Sequence, residues 1–589
     1  MLNLSLREPE SPTAVTNKTD LTLPPEDLFF DPWSDAGMSL LRAPEYLWRP
    51  ITGGIIEGFA VSEHDTVNAK IRSHVAAAGR NRTFTTPVEY ASVPVVLDQA
   101  DYRKSYVMAG GKYLLQGATA TRVINSFRWD SLRGSDDAIA RLEVFFAQRR
   151  NTRLPTDLPK SLALEPELNV AFECRNTFNY FHFITEALAR LCLLDDIAFT
   201  GDIYFHYPHP DDKHRAFCAA FVDALFPEYA GRVFFERVPK TYAKVLSGFD
   251  LVGSHLFAPP EETAPLAALL PRARAEMTDV FSLAFHQILE RNAVNSSLIA
   301  LRKRALAAIE GQDFSHLPTR FFVGRDDRQS RARHMAGEDL LIEHLQLFGF
   351  DYVVFENLSP LEQIALMAQA EMMVSYHGAA FTNMLFANPQ ATVIELGTLQ
   401  TAQWRWADFW PLANAARCRY VTFFADFQQD DPLKEPAFGQ DGIVPTSLSE
   451  SGTAQVMAFI VSLFGFPPDM PSAGSVLKLG QRLFKVGAPD RALALLEVHD
   501  AMLEGHAGLC LLKADCHKAL DEPKSELVAL DLAFKAKPDR WQTLIRLIWC
   551  ANRCERTQVI RWALTRLERD FPERHAAFTA KHAWLRYVV

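Results

Sequence analysis

The amino-acid sequence predicts an α/β protein that ends in a module of repeated helices. Three observations carry that expectation. Between 320 and 397, short β-rich runs alternate with amphipathic helical stretches, the pattern of βαβ units and a parallel sheet covered on both faces. Residues 162–310 mix apolar runs such as LNVAFEC, GDIYFHY and GRVFFER with longer helical stretches, which reads as another α/β unit. From 473 onward the chain repeats at a period of 34 residues, the length of one helix-turn-helix unit.

Length and composition bound the rest. A chain of 589 residues accommodates two to four domains. Hydrophobic residues make up 48% and charged residues 22%, which excludes a disordered or fibrous chain. Lys and Arg total 61 against 71 Asp and Glu, a net charge of −10, and no cationic block stands out. Nucleic acid and anionic membrane are bound through clustered cations, so neither is an expected main partner. The opening stretch MLNLSLREPESPTAVTNKTDLTLPPED lacks a cationic segment followed by an apolar one, and reads as a polar tail rather than a signal peptide. No run of 18 apolar residues occurs, so no transmembrane segment is expected, while peripheral membrane association stays open. Eight scattered Cys form no disulfide framework and point to a reducing cytoplasm.

Residues 1–84 are expected as an N-terminal extension, partly disordered. The first α/β unit spans 85–317 and opens with β-rich runs such as VEYASVPVVL and KYLLQGA between Gly-marked turns. The second spans 318–465, with RFFVG, DYVVFE, EMMVSY and ATVIEL as strands. AGEDLLIEHLQLFG is a helix closed by a Gly, and LSPLEQIALMAQA opens on Ser359 as N-cap with Pro360 first in the helix. The segment 465–475 is a linker by its Pro, Gly and Ser content. In 473–589 the repeats 473–506, 507–540 and 541–574 align without gaps, followed by a capping helix. Gly480 and Ala514 fill the small eighth position, from which Ile548 departs. Pro489 and Pro523 mark the turn within a repeat, and Leu496, Leu530 and Leu564 share one buried position. This is the tetratricopeptide-like pattern, and a protein partner is expected along such repeats.

In an open parallel sheet, ligands bind beyond the carboxyl ends of the strands. Two loops there carry unusual chemistry. VGRDDRQSRARHMAGED follows the strand at 320–324 and places Arg325, Arg328, Arg331 and Arg333 within nine residues. SYHGAAFTN follows the strand at 371–376. Gly378 allows close backbone approach, Ala379 and Ala380 leave room, and the helix carrying Thr382 and Asn383 begins with free N–H groups. Guanidinium groups beside such a helix start make a diphosphate site, the bland alternative being a tight turn and a solvated arginine cluster. His377 either donates to a phosphate or sugar oxygen or is a structural turn residue. Glu395, read as the end of the last strand, either accepts the two hydroxyls of a ribose or pairs with an arginine.

Upstream, in NVAFECRNTFNYFHFITEALARLCLLDD, His182 and Glu186 stand four residues apart on one helix face. That spacing suits general-base work and fits an ordinary helical pair as well. No Asp-x-Asp, GxSxG or GxGxxG occurs, and GGK at 110–112 lacks the rest of a phosphate loop. Cys510, Cys516, His517, Cys550 and Cys554 lie at core-like helical spacings and read as buried side chains rather than zinc ligands.

These residues resemble glycosyltransferase family 61. The resemblance rests on NYFHFITEALARL at 179–191 and on the stretch from RFFVGR to VIELG at 320–397, above all its HGA-x-x-TN-x-LF-x-x-P-x-x-x-VIEL block. It implies a GT-B type fold, two Rossmann-like domains facing a cleft, and inverting transfer of a sugar from a nucleotide donor without a metal. The missing Asp-x-Asp accords with that. It also implies that Arg325 and Arg333 lie beside the donor phosphates, with Arg331 between them in sequence. His377, Gly378, Ala379, Thr382 and Asn383 would form the donor turn, and Glu395 the acidic strand end. Glu186 stands where the family has Asp or Glu after an aromatic-flanked His, here His182. One departure is RHMAGE, with Gly337 where family members often have Asn.

The expected function is transfer of a sugar from a nucleotide-sugar, a UDP-sugar, to a saccharide acceptor in cell-surface or capsular polysaccharide synthesis. It would take place in the cytoplasm, at the inner face of a membrane. Glu186 is the expected base and His182 the second choice, with no cofactor and no metal. Two other readings stand beside it: a protein O-glycosyltransferase whose repeats hold a polypeptide, and a non-catalytic sugar-nucleotide-binding scaffold.

Overall fold

Alternating apolar residues over Ser92–Arg103 and Lys240–Asp250 form two long strands that pair antiparallel, Leu97 facing Val245. Around them the first sheet is mixed. On one side Val170–Glu173, Ile203–His206 and Val233–Glu236 follow Lys240–Asp250 in parallel order. On the other, Tyr106–Ala109 and Lys112–Tyr113 continue antiparallel from Ser92–Arg103. The tight turn between those two strands uses Gly110 (φ 56°) and Gly111 (φ 79°), left-handed values that favour glycine. The GGK run is therefore a hairpin turn.

This computed structural model describes residues 24–81, 86–103, 106–116, 137–150, 155–160, 164–174, 179–207, 216–269, 289, 292–325, 334–431, 433–437, 441–467 and 470–587. Arg328, Arg331 and Arg333 of the arginine loop lie outside the described residues.

The second sheet has the order Asp351–Val353, Arg320–Val323, Met372–Tyr376, Thr392–Thr398, Arg419–Phe427, all parallel. Its helices are closed as the sequence predicts. Ser359 and Glu362 form a reciprocal capping box, Pro360 takes the first helical position of Pro360–Ala368, and Gly349 follows the helix Glu338–Gln346 with φ 74°. The edge differs from expectation. Ile55–Ala60, within the stretch read as an extension, pairs parallel with Arg419–Phe427 and completes the sheet. Met38–Leu40 likewise joins the first sheet against Ser92–Arg103. Short runs such as GIIEGFA gain strand structure only from a distant partner, so local pattern underrates them.

One apolar core runs beneath both sheets. Phe172, Phe183 and Phe205 from the first belong to the same buried cluster as Phe321, Phe381, Leu385 and Trp410 from the second. The helix Ser296–Ile309, capped by the Asn295 side chain, contributes Leu298 and Leu301 to it.

The C-terminal period becomes three helix pairs: Ala473–Lys485 with Pro489–Val498, Ala507–Ala519 with Pro523–Ala536, and Trp541–Arg553 with Thr557–Asp570. Pro572–Lys581 follows as the cap. A Cβ on Gly480 would lie 2.7 Å from Leu512 Cδ2, which accounts for the small residue at that position. Leu496, Leu530 and Leu564 are buried, as are seven of the eight Cys. The first pair packs against the helix Glu450–Phe464, and Leu479 and Leu483 share a core cluster with its Val456 and Ile460 and with Val374, Ile394 and Leu396 of the second sheet. Lys478 pairs with Glu343 at 3.0 Å at the margin of that contact. Among the described residues, no helix is long and apolar enough to cross a membrane.

Candidate active site

The carboxyl ends of the second sheet's strands bring together Arg325, His377 and Gly378. Val323 is in register with Ser375, so the residues that follow each strand emerge side by side. Arg325 Nη2 donates to the His377 carbonyl at 3.3 Å, and its guanidinium stands 5.3 Å from the Tyr376 ring centre. Burial and the nearby Glu338 charge push the Tyr376 hydroxyl well above the usual phenol range. His377, Gly378, Ala379 and Ala380 are partly exposed and form the accessible lip. The turn Ala379–Phe386 that follows is a 3₁₀ helix, and its first N–H groups have no acceptor within the helix.

Three predicted residues fall elsewhere. Thr382 and Asn383 are buried beneath the lip, at 0% and 1% exposure, so their side chains do not line an open donor site. Asn383 Oδ1 instead accepts the Tyr180 hydroxyl at 2.7 Å, and the Gln363 side chain accepts from both Tyr180 and Asn383. Glu395 is not a strand end: its strand runs on to Thr398, and the carboxyl group is 0% exposed. Its Oε1 accepts from His377 Nδ1 at 2.5 Å, and its Oε2 accepts from the Tyr420 and Thr422 hydroxyls. Ribose hydroxyls have no access to it.

The upstream constellation lies against this lip. Asn179 caps the turn Tyr180–His182, which passes into a π-helical turn Phe183–Ala187 and then a 3₁₀ helix Leu188–Leu194. Wide turns of this kind are frequent at functional sites. His182 Nδ1 and Glu186 Oε1 are 2.7 Å apart, with both side chains about a fifth exposed. Tyr180, partly buried, ties the segment to Asn383, and desolvation of its hydroxyl pushes it well above the usual range. The Phe409 ring lies 5.7 Å from Phe181, 5.7 Å from His377 and 5.5 Å from Phe381. The Phe409 ring thus links the His377–Glu395 pair to Phe181, the ring beside His182.

Below the first pair is a buried charge cluster that sequence reading did not single out. Arg190 Nη1 donates to Glu173 Oε2 at 2.6 Å and Nη2 to Asp250 Oδ2 at 3.1 Å. Glu173 and Asp250 end parallel strands of the first sheet, so Arg190 anchors the His182 segment to that sheet's edge. Burial raises the Glu173 carboxyl above the usual range, against the pull of Arg190. An Arg inside LARLCLL and a Glu ending VAFE were the available signals, since a charge within an apolar run needs a buried partner.

A search of curated proteins finds no match. Among solved structures, two of MamA are similar at 15% identity and a TM-score of 0.18, covering 21% of this chain and 69% and 64% of theirs. A likeness that limited carries no argument. The family model described as Glycosyltransferase 61 matches residues 180–394, a stretch that holds His182, Glu186, Arg325, His377 and Asn383. That region is similar to glycosyltransferase family 61.

Proposed function

We propose that this chain is a glycosyltransferase that moves a sugar from a nucleotide-sugar, a UDP-sugar, to a saccharide hydroxyl by a single inverting displacement that needs no metal. The observation that carries the reading is the apposition of the His182–Glu186 pair to the Arg325–Gly378 lip through Tyr180 and Asn383. The lip supplies positive charge and outward N–H groups for a departing diphosphate. The pair supplies a proton acceptor for the attacking hydroxyl. In this reading two Rossmann-like units of GT-B type hold acceptor and donor respectively, and the repeats offer a surface to a protein partner.

The order of roles differs from the sequence expectation. Glu186 Oε1 is engaged by His182 Nδ1, which leaves His182 Nε2 as the atom placed to take the acceptor proton. Glu186 then holds the ring in its tautomer, the division of labour of other carboxylate–histidine pairs. Bond formation at the sugar's anomeric carbon and departure of the diphosphate are concerted, and Arg325 meets the charge that develops on the leaving oxygen.

The test is hydrolysis-corrected transfer from a panel of nucleotide-sugars to saccharide acceptors, with and without chelator. Transfer with inverted anomeric configuration, unchanged by chelator and reduced by roughly 10²–10³ in Arg325→Ala, supports the reading. Chelator-sensitive transfer would remove the metal-free claim, and retained configuration would remove the single displacement.

A further inference from the structure

The second His–Glu pair is built differently from the first. Glu186 and His182 are both partly exposed, whereas Glu395 is fully buried and the His377 side chain is 11% exposed. Four groups converge on two neighbouring strands and the loop beside them. Tyr420 and Thr422 stand on Arg419–Phe427, with Thr422 in register with Glu395, and both hydroxyls donate to Glu395 Oε2. Glu395 Oε1 then accepts from His377 Nδ1 at 2.5 Å. With Nδ1 committed inward, Nε2 is the ring atom left to meet a ligand. The ring itself packs against Phe409, 5.7 Å between centres, and its backbone carbonyl receives Arg325 Nη2. Burial and the adjacent Glu395 charge push the Tyr420 hydroxyl well above the usual phenol range, which keeps it a donor.

We propose that Tyr420, Thr422 and Glu395 are positioning residues that hold the His377 ring so that its Nε2–H donates to the departing diphosphate beside Arg325. The proposal rests on the donor site of the preceding section. In the transfer, the bond from the anomeric carbon to the diphosphate oxygen breaks and its electron pair goes to that oxygen. The acceptor oxygen forms the new bond, and its proton passes to His182. His377 acts here as the imidazolium, which a donating Nδ1–H and a donating Nε2–H together require; it keeps both protons and meets the growing negative charge with a hydrogen bond. Glu395 never touches the nucleotide, so the ribose hydroxyls find another partner.

The test separates a positioning role from a ribose contact. UDP, GDP, CDP and ADP are titrated into wild-type protein, and the one that binds is compared with its 2′-deoxy form in four variants: Tyr420→Phe, Glu395→Gln, His377→Gln and the double variant His377→Gln/Glu395→Gln. The expected result is that Tyr420→Phe and Glu395→Gln each weaken the ribo and deoxy diphosphates alike, by roughly 10-fold. On the His377→Gln background, Glu395→Gln should add less than about two-fold, the signature of action through the ring. Tyr420→Phe keeps the buried shape and serves as the test if Glu395→Gln does not fold. Loss of ribo-over-deoxy preference in Glu395→Gln would assign it to the ribose and overturn the proposal. Full additivity with His377→Gln, or unchanged diphosphate affinity in Tyr420→Phe, would overturn it too. If wild-type protein binds none of the four diphosphates, the donor site itself fails.

Discussion

The guanidinium of Arg325 occupies the space that a side chain at Gly378 would need: a Cβ built there lies 2.4 Å from Nη2. Gly378 has φ 170°, an extended backbone open to any residue, so the glycine answers to space rather than to torsion. Gly378→Ala should therefore displace Arg325 and lower transfer by at least about 10-fold, while Arg325→Ala lowers it by roughly 10²–10³. Because both act through one guanidinium, Gly378→Ala should add little in the Arg325→Ala background. Steady-state rates of the two single variants and the double variant check this. Wild-type turnover in Gly378→Ala would separate Arg325 from the reaction.

In the proposed mechanism His182 and Glu186 divide base and orienting roles, which their hydrogen bond makes testable. His182→Gln should lower kcat by about 10²–10⁴ and leave donor affinity unchanged. Glu186→Gln should lower kcat less, since the ring remains. If His182→Gln instead retained its rate while Glu186→Gln lost it, the carboxylate would be the base, as the sequence alone had suggested.

Tyr180 joins the His182 segment to the turn that follows His377 through one hydroxyl. Tyr180→Phe leaves Asn383 and Gln363 short of a buried donor, at a cost of ~1–3 kcal/mol. Urea unfolding of wild type and variant measures it directly. A change under about 0.5 kcal/mol would mean that packing around Phe217 and Phe221 holds the segment without the hydrogen bond.

His344 lies buried on the helix Glu338–Gln346, on the side of the first repeat's Arg482, and burial, helped by Arg482, pushes its pKa down to about 4. The unfolded chain takes up the proton near pH 6.5, before the folded chain does. Stability from the neutral ring is thus complete above pH 6.5 and is lost as the pH falls toward 4. His344→Leu should flatten the fall of Tm over that range by several °C, at about 2–4 °C per kcal/mol. An unchanged slope would assign the acid sensitivity to other groups, among them His206, whose pKa burial pushes down to about 3.

What the sequence disclosed follows from how locally each feature is specified. The 320–397 sheet was legible because its strand and helix periods, its capping Ser359 and its closing Gly349 all act within a few residues. The lip was legible through Arg325 and Gly378, whose proximity follows from adjacent parallel strands. Burial was not legible. Glu395 and Asn383 are polar letters in a familiar block, and only the neighbouring strand's Tyr420 and the distant Tyr180 show that both face inward. Gly337 shows the same limit. Its φ of 84° would suit Asn, but a Cβ there would lie 2.1 Å from the Leu448 carbonyl oxygen, more than a hundred residues away. The glycine thus follows from a contact made by a remote loop, with no reference to donor binding.

The strand Ile55–Ala60 sets a timetable for synthesis. Its neighbour Arg419 meets Glu57 across 362 residues of chain. At ~5–20 residues per second, the early strand leaves the ribosome roughly 20–70 s before the strand that will cover its open edge. Throughout that interval its backbone donors and acceptors face solvent and other nascent chains. The sheet that carries Arg325 and His377 can close only after Arg419–Phe427 has been made, so the lip they form is completed late in translation, although the His182 segment was made long before.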